Sequence, residues 1–195
     1  MSKADNTRLT ILKKAFDLVY AQGYQLTSVD DIIEKTHVTK GAFYYHFRNK
    51  DAMGLAMIRE VMYPGMRDAL IKPLTKGGDP LTEIFNMMNG LLLHNPFFQV
   101  KYGCPAVNLI EEMASVNKEF HHALQALTEE WQKAITSVIE KGKKGGKVNR
   151  HVKGKRVAYF ISIGYSGVRN LGKLYGRSCY VIYLKELKKY LESLR

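Results

Sequence analysis

Three residues with helix-capping side chains, Ser28, Thr39 and Asn49, follow one another at intervals of about ten positions. Each can accept a hydrogen bond from a free backbone N–H and so open a helix. Caps this close together leave room only for short helices joined by tight turns. The first helix is expected from about Asp5 to Gln22, with Leu12, Ala15, Phe16 and Val19 at helical spacing and Gly23 as its C-terminal stop. Ser28 opens a second helix with Asp30 and Asp31 in its first turn, where the helix dipole favours acids, and it ends near Thr36. After a tight connection at His37 and Val38, Thr39 opens a third over residues 40–47, and Asn49 opens a longer one through Asp51, Leu55, Ile58 and Met62 toward Pro64 or beyond. This is the outline of a helix-turn-helix module.

The rest of the chain is helical by the same periodicity. Pro80 starts a segment with Leu81, Ile84, Phe85, Met88 and Leu92 that stops at Asn95-Pro96. Cys104-Pro105 opens another with Val107, Ile110 and Met113, and a longer one runs from about Asn117 to Lys141. No alternating stretch competes as a strand. The expected fold class is all-α, with about nine helices. The Gly-rich, basic run from Lys141 to Lys155 is expected to be a solvated loop; it lacks the glycine spacing and the Ser or Thr of a phosphate-binding loop.

The last two helices carry a tighter repeat. Val157, Ile161, Gly164, Val168, Leu171 and Tyr175 step by four and three, as do Tyr180, Leu184, Leu187, Leu191 and Leu194. That period suits helices packed along their length, with Gly164 and Gly167 permitting close approach. A four-helix bundle with a second copy would place Val157, Ile161, Gly164, Val168, Leu171, Leu184, Leu187 and Leu191 in a homodimer interface. The alternative, that both stripes face the chain's own core, stays open.

The net charge of +12 is unevenly distributed, with +3 over residues 1–50, −4 over residues 51–140 and +13 over residues 141–195. Such a balance favours a polyanionic partner. The opening MSKADNTRLT is charged where a signal peptide needs an apolar core, and the uncharged stretch Val157–Val168 is too short to span a bilayer. Cys104 and Cys179 lie far apart with no C-x-x-C spacing, so a reducing cytoplasm, without membrane contact, is expected. The six histidines show no metal-ligand spacing, and neither a metal nor a cofactor is expected.

On a helical wheel starting at Lys40, Phe43 and Phe47 fall together and can pack on Ile32, Ile33 and Val38. Lys40, Gly41, Tyr44 and Tyr45 fall on the other side. That outer face suits DNA. Thr39 and the free amides can bind phosphate, Lys40 can reach a guanine edge or phosphate, Gly41 permits close approach, and the tyrosines offer hydroxyls and ring edges. The run from Thr27 through "TKGAFYYHFRNKDAM" resembles the DNA-binding domain of the TetR family of bacterial transcriptional regulators, over residues 8 to about 57. The resemblance implies a three-helix head over residues 1–50 and a long fourth helix leading to a ligand-binding and dimerisation body over residues 51–195. It also implies DNA contacts at Thr27, Ser28, Thr39, Lys40, Gly41, Tyr44, Tyr45, His46 and Lys50. His37 departs from the Gly usual in the family's turn, and Asp30 from the usual basic or neutral residue.

The expected activity is therefore a ligand-responsive regulator, a repressor that binds a near-palindromic double-stranded operator as a homodimer and is released by a small molecule or electrophile. Gly103-Cys104-Pro105 with Asn108 and Glu112 resembles the start of the sixth helix in a subset of the family, some of which sense electrophiles through that cysteine. Pro105 suits the first helical position, which puts Cys104 at the cap, where a thiolate is favoured. Met88, Leu92, Phe98, Trp131 and Tyr165 are the expected lining of an effector cavity. An activator or sequence-indifferent architectural protein remains an alternative, as does an enzyme using Cys104 as nucleophile.

Overall fold

The computed structural model describes residues 3–195, with side chains from Ala4 onward. Its α-helices are α1 Lys3–Gln22, α2 Val29–Thr36, α3 Lys40–His46, α4 Lys50–Met57, α5 Tyr63–Leu70, α6 Pro80–Asn89, α7 Pro105–Met113, α8 Lys118–Lys144, α9 Gly154–Tyr175 and α10 Arg177–Glu192. A π turn, Ile58–Met62, joins α4 and α5 into one helical run, and a second, Gly90–His94, extends α6. Counting α4 and α5 as one leaves nine helices, and no strand is present among the described residues.

The chain forms two compact units. The first runs to Pro64 and takes in Pro105–Gln125; the second comprises Gly65–Cys104 and Ala126–Arg195. In the first, α1 packs on α2, α3 and α4. Its core holds Ile11, Leu12, Ala15 and Ile32 with no exposed surface, Phe16 and Val19 nearly so, and the two phenylalanines of the third helix region, Phe43 at 0% and Phe47 at 4%. Full burial of each such side chain is worth about 1.5–3 kcal/mol. Tyr24 closes this core from the end of α1. Its ring lies 5.0 Å from that of Phe120, and its hydroxyl donates to Asp51 Oδ1 at 2.7 Å.

In the second unit α10 packs on α9 and α6. Two expectations change here. The Lys141–Lys155 run is not all loop: α8 continues to Lys144. It ends because Gly146 adopts φ +69, the Gly146 N–H donates to the Lys143 carbonyl at 3.2 Å, and the Lys147 N–H donates back to the Gly142 carbonyl at 2.9 Å. That paired return is a Schellman stop, which the Gly-Gly pair makes easy.

The second correction concerns the 3.5-residue stripes. Val157, Ile161, Val168, Leu184, Leu187 and Leu191 are all buried by the chain's own packing, at 0–5% exposure, and leave no surface for a second copy. Gly164 lies under the Tyr183 ring, which an added Cβ would meet at 2.5 Å. Of the eight residues assigned to a dimer interface, Leu171 alone stands out, at 48% exposure. The stripe describes how α9 packs on α10, so the repeat was satisfied within one chain. Tyr175, at the end of the α9 stripe, is also turned outward, together with Phe160, Ile163, Leu174, Val181 and Ile182 from outside the stripes.

Candidate nucleic-acid interface

Each cap read from the sequence makes its bond. The Ser28 hydroxyl accepts from the Asp31 N–H at 3.0 Å, while the Ser28 N–H donates to Asp31 Oδ2 at 2.8 Å. The reciprocal pair is a capping box. The Ser28 backbone bond, with its hydroxyl, holds the Asp31 carboxyl below the usual carboxylate range. Thr39 accepts from the Ala42 N–H at 3.1 Å and Asn49 from the Ala52 N–H at 2.8 Å. In Ser28 and Thr39 the cap uses an oxygen lone pair, so each hydroxyl keeps its proton to donate to a phosphate. Between α2 and α3, His37 takes φ 54 and ψ 24, the only non-glycine residue at positive φ among the described residues.

Helix α3 is thus set with one face in the core and one in solvent. Gly41 is exposed, Tyr44 is 47% and Tyr45 78% exposed, and an added Cβ at Gly41 would touch only Thr39 Oγ1, at 4.0 Å. Tyr44 braces its ring edge against Phe43 at 5.3 Å, and His46, half-buried, sits edge-on to Tyr45 at 5.0 Å. Lys40 pairs with Asp30 at 3.2 Å, both side chains well exposed. The Asp30 that departs from the family pattern therefore positions the recognition-helix lysine, through a surface pair worth no more than about 1 kcal/mol.

Two expected contact residues point elsewhere. Thr27 has no exposed surface: its hydroxyl donates to the Gly23 carbonyl at 2.7 Å, tying the end of α1 to the turn before α2. It is a structural residue, placed in the motif but turned inward. Lys50 folds its ammonium over the Tyr24 ring, 4.5 Å from the centroid, and reaches the Gln25 carbonyl at 3.4 Å. Partial burial lowers its pKa. The remaining set, Ser28, Thr39, Lys40, Gly41, Tyr44, Tyr45 and His46, shares the α2–α3 region.

Glu112 was not assigned a role by sequence reasoning, although it belongs to the quoted Gly-Cys-Asn-Glu pattern. From α7 its two carboxylate oxygens accept the Tyr24 N–H at 3.1 Å and the Gln25 N–H at 2.9 Å. Asn117 does similar service, donating to Asp51 Oδ2 at 3.2 Å. Segment 105–125 is thereby bonded to the end of α1 and the start of α4.

In the second unit, Met88, Leu92, Phe98, Trp131 and Tyr165 are all buried. Trp131 meets Tyr165 edge-on at 5.3 Å. A groove of about 430 Å³ opens beside Met87, Gly90, Leu91 and His94, lined by neighbours of the expected Met88 and Leu92. Cys104 stands just ahead of α7, at the cap position expected from sequence, and is fully buried.

Comparison with known proteins agrees with this geometry. Residues 11–57 match the family described as bacterial regulatory proteins, tetR family, and residues 80–183, more than half of the chain, match the tetracyclin repressor-like C-terminal domain. The chain belongs to the TetR family. This TetR-family chain is 32% identical over 130 residues to an uncharacterized HTH-type transcriptional regulator of Lactococcus lactis subsp. lactis, covering 67% of this chain and 66%, just under two thirds, of that one. It is 23% identical over 167 residues to the HTH-type transcriptional repressor DhaR of Mycobacterium sp. strain GP1, covering 82% and 79%. A TetR regulator from Chloroflexus aurantiacus superposes with a TM-score of 0.88 at 23% identity, covering 98% and 97%, a likeness of fold. As a member, this TetR-family protein is a helix-turn-helix transcriptional regulator, and none of its described helices is long and apolar enough to cross a membrane.

Proposed function

We propose that this regulator is a repressor that binds a near-palindromic operator as a homodimer in the cytoplasm and is released when a small molecule enters the body. The observation that carries the reading is α3: capped by Thr39, anchored by the buried Phe43 and Phe47, and offering Lys40, Gly41, Tyr44 and Tyr45 to solvent. A helix so presented fits a major groove, with its N-terminal residues toward the base edges. The reading surface lies within residues 1–50, and residues 51–195 hold the effector and the dimer contact. Glu112 and Asn117 supply the route by which a change in segment 105–125 reaches the head. An effector then acts by preferring one arrangement of that segment over another.

The dimer contact is assigned to the exposed apolar face of α9 and α10, with Ile163 at 67%, Leu174 at 76% and Ile182 at 65% exposure. Apolar residues clustered outward on two adjacent helices favour a second copy over water. Repression, rather than activation, follows the likeness to DhaR, a transcriptional repressor. A cysteine-dependent enzyme fits less well, since Cys104 presents no surface to a substrate.

The test is selection of bound duplexes from a random pool, followed by titration at two salt concentrations. A pseudo-palindrome preferred over random duplex at both supports the reading. Equal affinity for all duplexes, carried wholly by the salt-dependent part, would favour an architectural protein instead. In parallel, Ile163→Glu with Leu174→Glu should yield a monomer by sedimentation.

A further inference from the structure

Arg169, on α9, is the one charged side chain that is buried among the described residues, with 0% exposure. Its Nη2 donates to the Gly103 carbonyl. Among the described residues Nε and Nη1 meet no carbonyl partner, and no carboxylate comes within ion-pair distance. The guanidinium lies over two rings, 5.2 Å from the centroid of Phe98 and 5.5 Å from that of Tyr180. These rings steady a positive charge on their faces but supply no lone pair to the N–H groups.

Tyr180 adds to the imbalance. It too has 0% exposure, and its hydroxyl oxygen lies close enough to the guanidinium to accept from it, with no other hydrogen-bond partner among the described residues. Burial raises its pKa, so it stays a neutral O–H donor, while the nearby guanidinium pulls the other way. Gly172 lets the ring in, because an added Cβ there would meet Tyr180 Cε1 at 2.4 Å. Gly103 must be glycine as well: φ +73 and ψ −137 lie outside the range of L side chains. The chain thus maintains two special glycines around a cluster of donors, and the acceptors it provides, the Gly103 carbonyl and the neutral Tyr180 hydroxyl, carry no charge. A buried cation without a counter-charge is costly to a fold, and aromatic walls alone do not replace the missing acceptors.

We propose that Arg169 and Tyr180 form the receiving group for the carboxylate of a small monoanionic effector, with the Phe98 ring as an apolar wall. This rests on the reading of the protein as an effector-released regulator, and names the effector's chemical class. A carboxylate matches the planar fork of a guanidinium and brings one negative charge to one positive charge. A phosphate dianion would leave one buried negative charge unmatched. The bound carboxylate would compete directly for the donors that now hold Gly103, which stands two residues ahead of α7. That competition gives the effector a purchase on the backbone at the start of the helix bearing Glu112.

The test uses the full-length protein with matched pairs of carboxylate and neutral amide, acetate with acetamide and benzoate with benzamide, and with inorganic phosphate as a third arm. Melting temperature and calorimetric titration are read for each. A rise of several degrees with a carboxylate, none with its amide and none with phosphate, is expected. Arg169→Met should abolish that rise while melting no lower than wild type without ligand, because it removes a buried unpaired charge. Tyr180→Phe, which keeps the fold and the charge, should weaken carboxylate affinity about tenfold. Equal response to carboxylate and amide, no response to either carboxylate, or a response retained in both variants overturns the proposal and marks Arg169 as a packing residue. Binding to the selected operator is followed in the same samples: intact sequence-specific binding with no carboxylate response sinks this inference alone, whereas failure to choose among duplexes sinks the regulator reading itself.

Discussion

Glu112→Ala should loosen the end of α1 more than any other surface substitution in the first unit. The wild-type carboxylate accepts two backbone N–H groups, from Tyr24 at 3.1 Å and Gln25 at 2.9 Å. Hydrogen bonds to a charged acceptor are worth about 1.5–3 kcal/mol each when both groups are dry. Here Glu112 is half-buried and Gln25 is exposed, so the freed Gln25 N–H finds water while the one on buried Tyr24 finds it less readily. The net loss is placed at about 2 kcal/mol. Local opening at these amides then becomes roughly thirtyfold more frequent, since about 1.4 kcal/mol corresponds to tenfold. Hydrogen exchange with residue resolution reads this directly, and the melting temperature should fall by about 4–8 °C. Glu112→Gln, which keeps one oxygen but sets an N–H against an N–H, should lie between. Exchange at Tyr24 and Gln25 within twofold of wild type would refute the claim that segment 105–125 holds the head through this carboxylate.

Gly54→Ala should cost about 1–3 kcal/mol by overpacking, because its Cβ would lie 2.7 Å from Phe120 Cζ and 2.8 Å from Tyr24 Cε2; an unchanged urea midpoint would mean both rings move freely. The Asp79–Arg195 pair predicts a pH dependence. Burial pushes the Asp79 carboxyl up, but the Arg195 guanidinium and the Thr82 N–H and hydroxyl outweigh it and hold the pKa down, from 3.8 to about 2. A carboxyl depressed by folding stabilises above its unfolded value and loses that contribution as pH falls. Arg195→Ala should therefore be less stable than wild type by about 1 kcal/mol at pH 6, after screening at this exposed pair, with the gap closing between pH 4 and pH 2. A gap independent of pH would contradict it.

What the sequence disclosed and what it withheld divide by range. Ser28, Thr39, Asn49 and Gly23 were legible because a cap depends on chemistry within three or four residues, and all four behave as read. The Phe43 and Phe47 face was legible because one helix and its periodicity fix it. The stripe on α9 and α10 was not, because a period of 3.5 says that a helix packs along another without saying whose. Motif position carried Thr27 to the DNA surface, but burial is a tertiary property, and its side chain turned toward Gly23. The Gly-Gly at 145–146 has the composition of a loop but is the stop signal of α8. Arg169 reads as a solvated arginine in isolation. Its place four residues after Tyr165 and one after Val168 set it on the buried face, and that register is the signal that was there to find.

The central claim is that α3 reads DNA through its solvent face while its other face only holds the helix. The most direct measurement is the affinity of purified Tyr44→Ala for the selected operator, beside its melting temperature and oligomeric state. Tyr44 is half-exposed, so its loss should leave melting within a few degrees and the dimer intact, while operator affinity falls by about 5- to 150-fold, as for the removal of a contact worth about 1–3 kcal/mol. Wild-type affinity in Tyr44→Ala, repeated in Lys40→Ala, would contradict the account, because the face assigned to DNA would then not be the one that binds it.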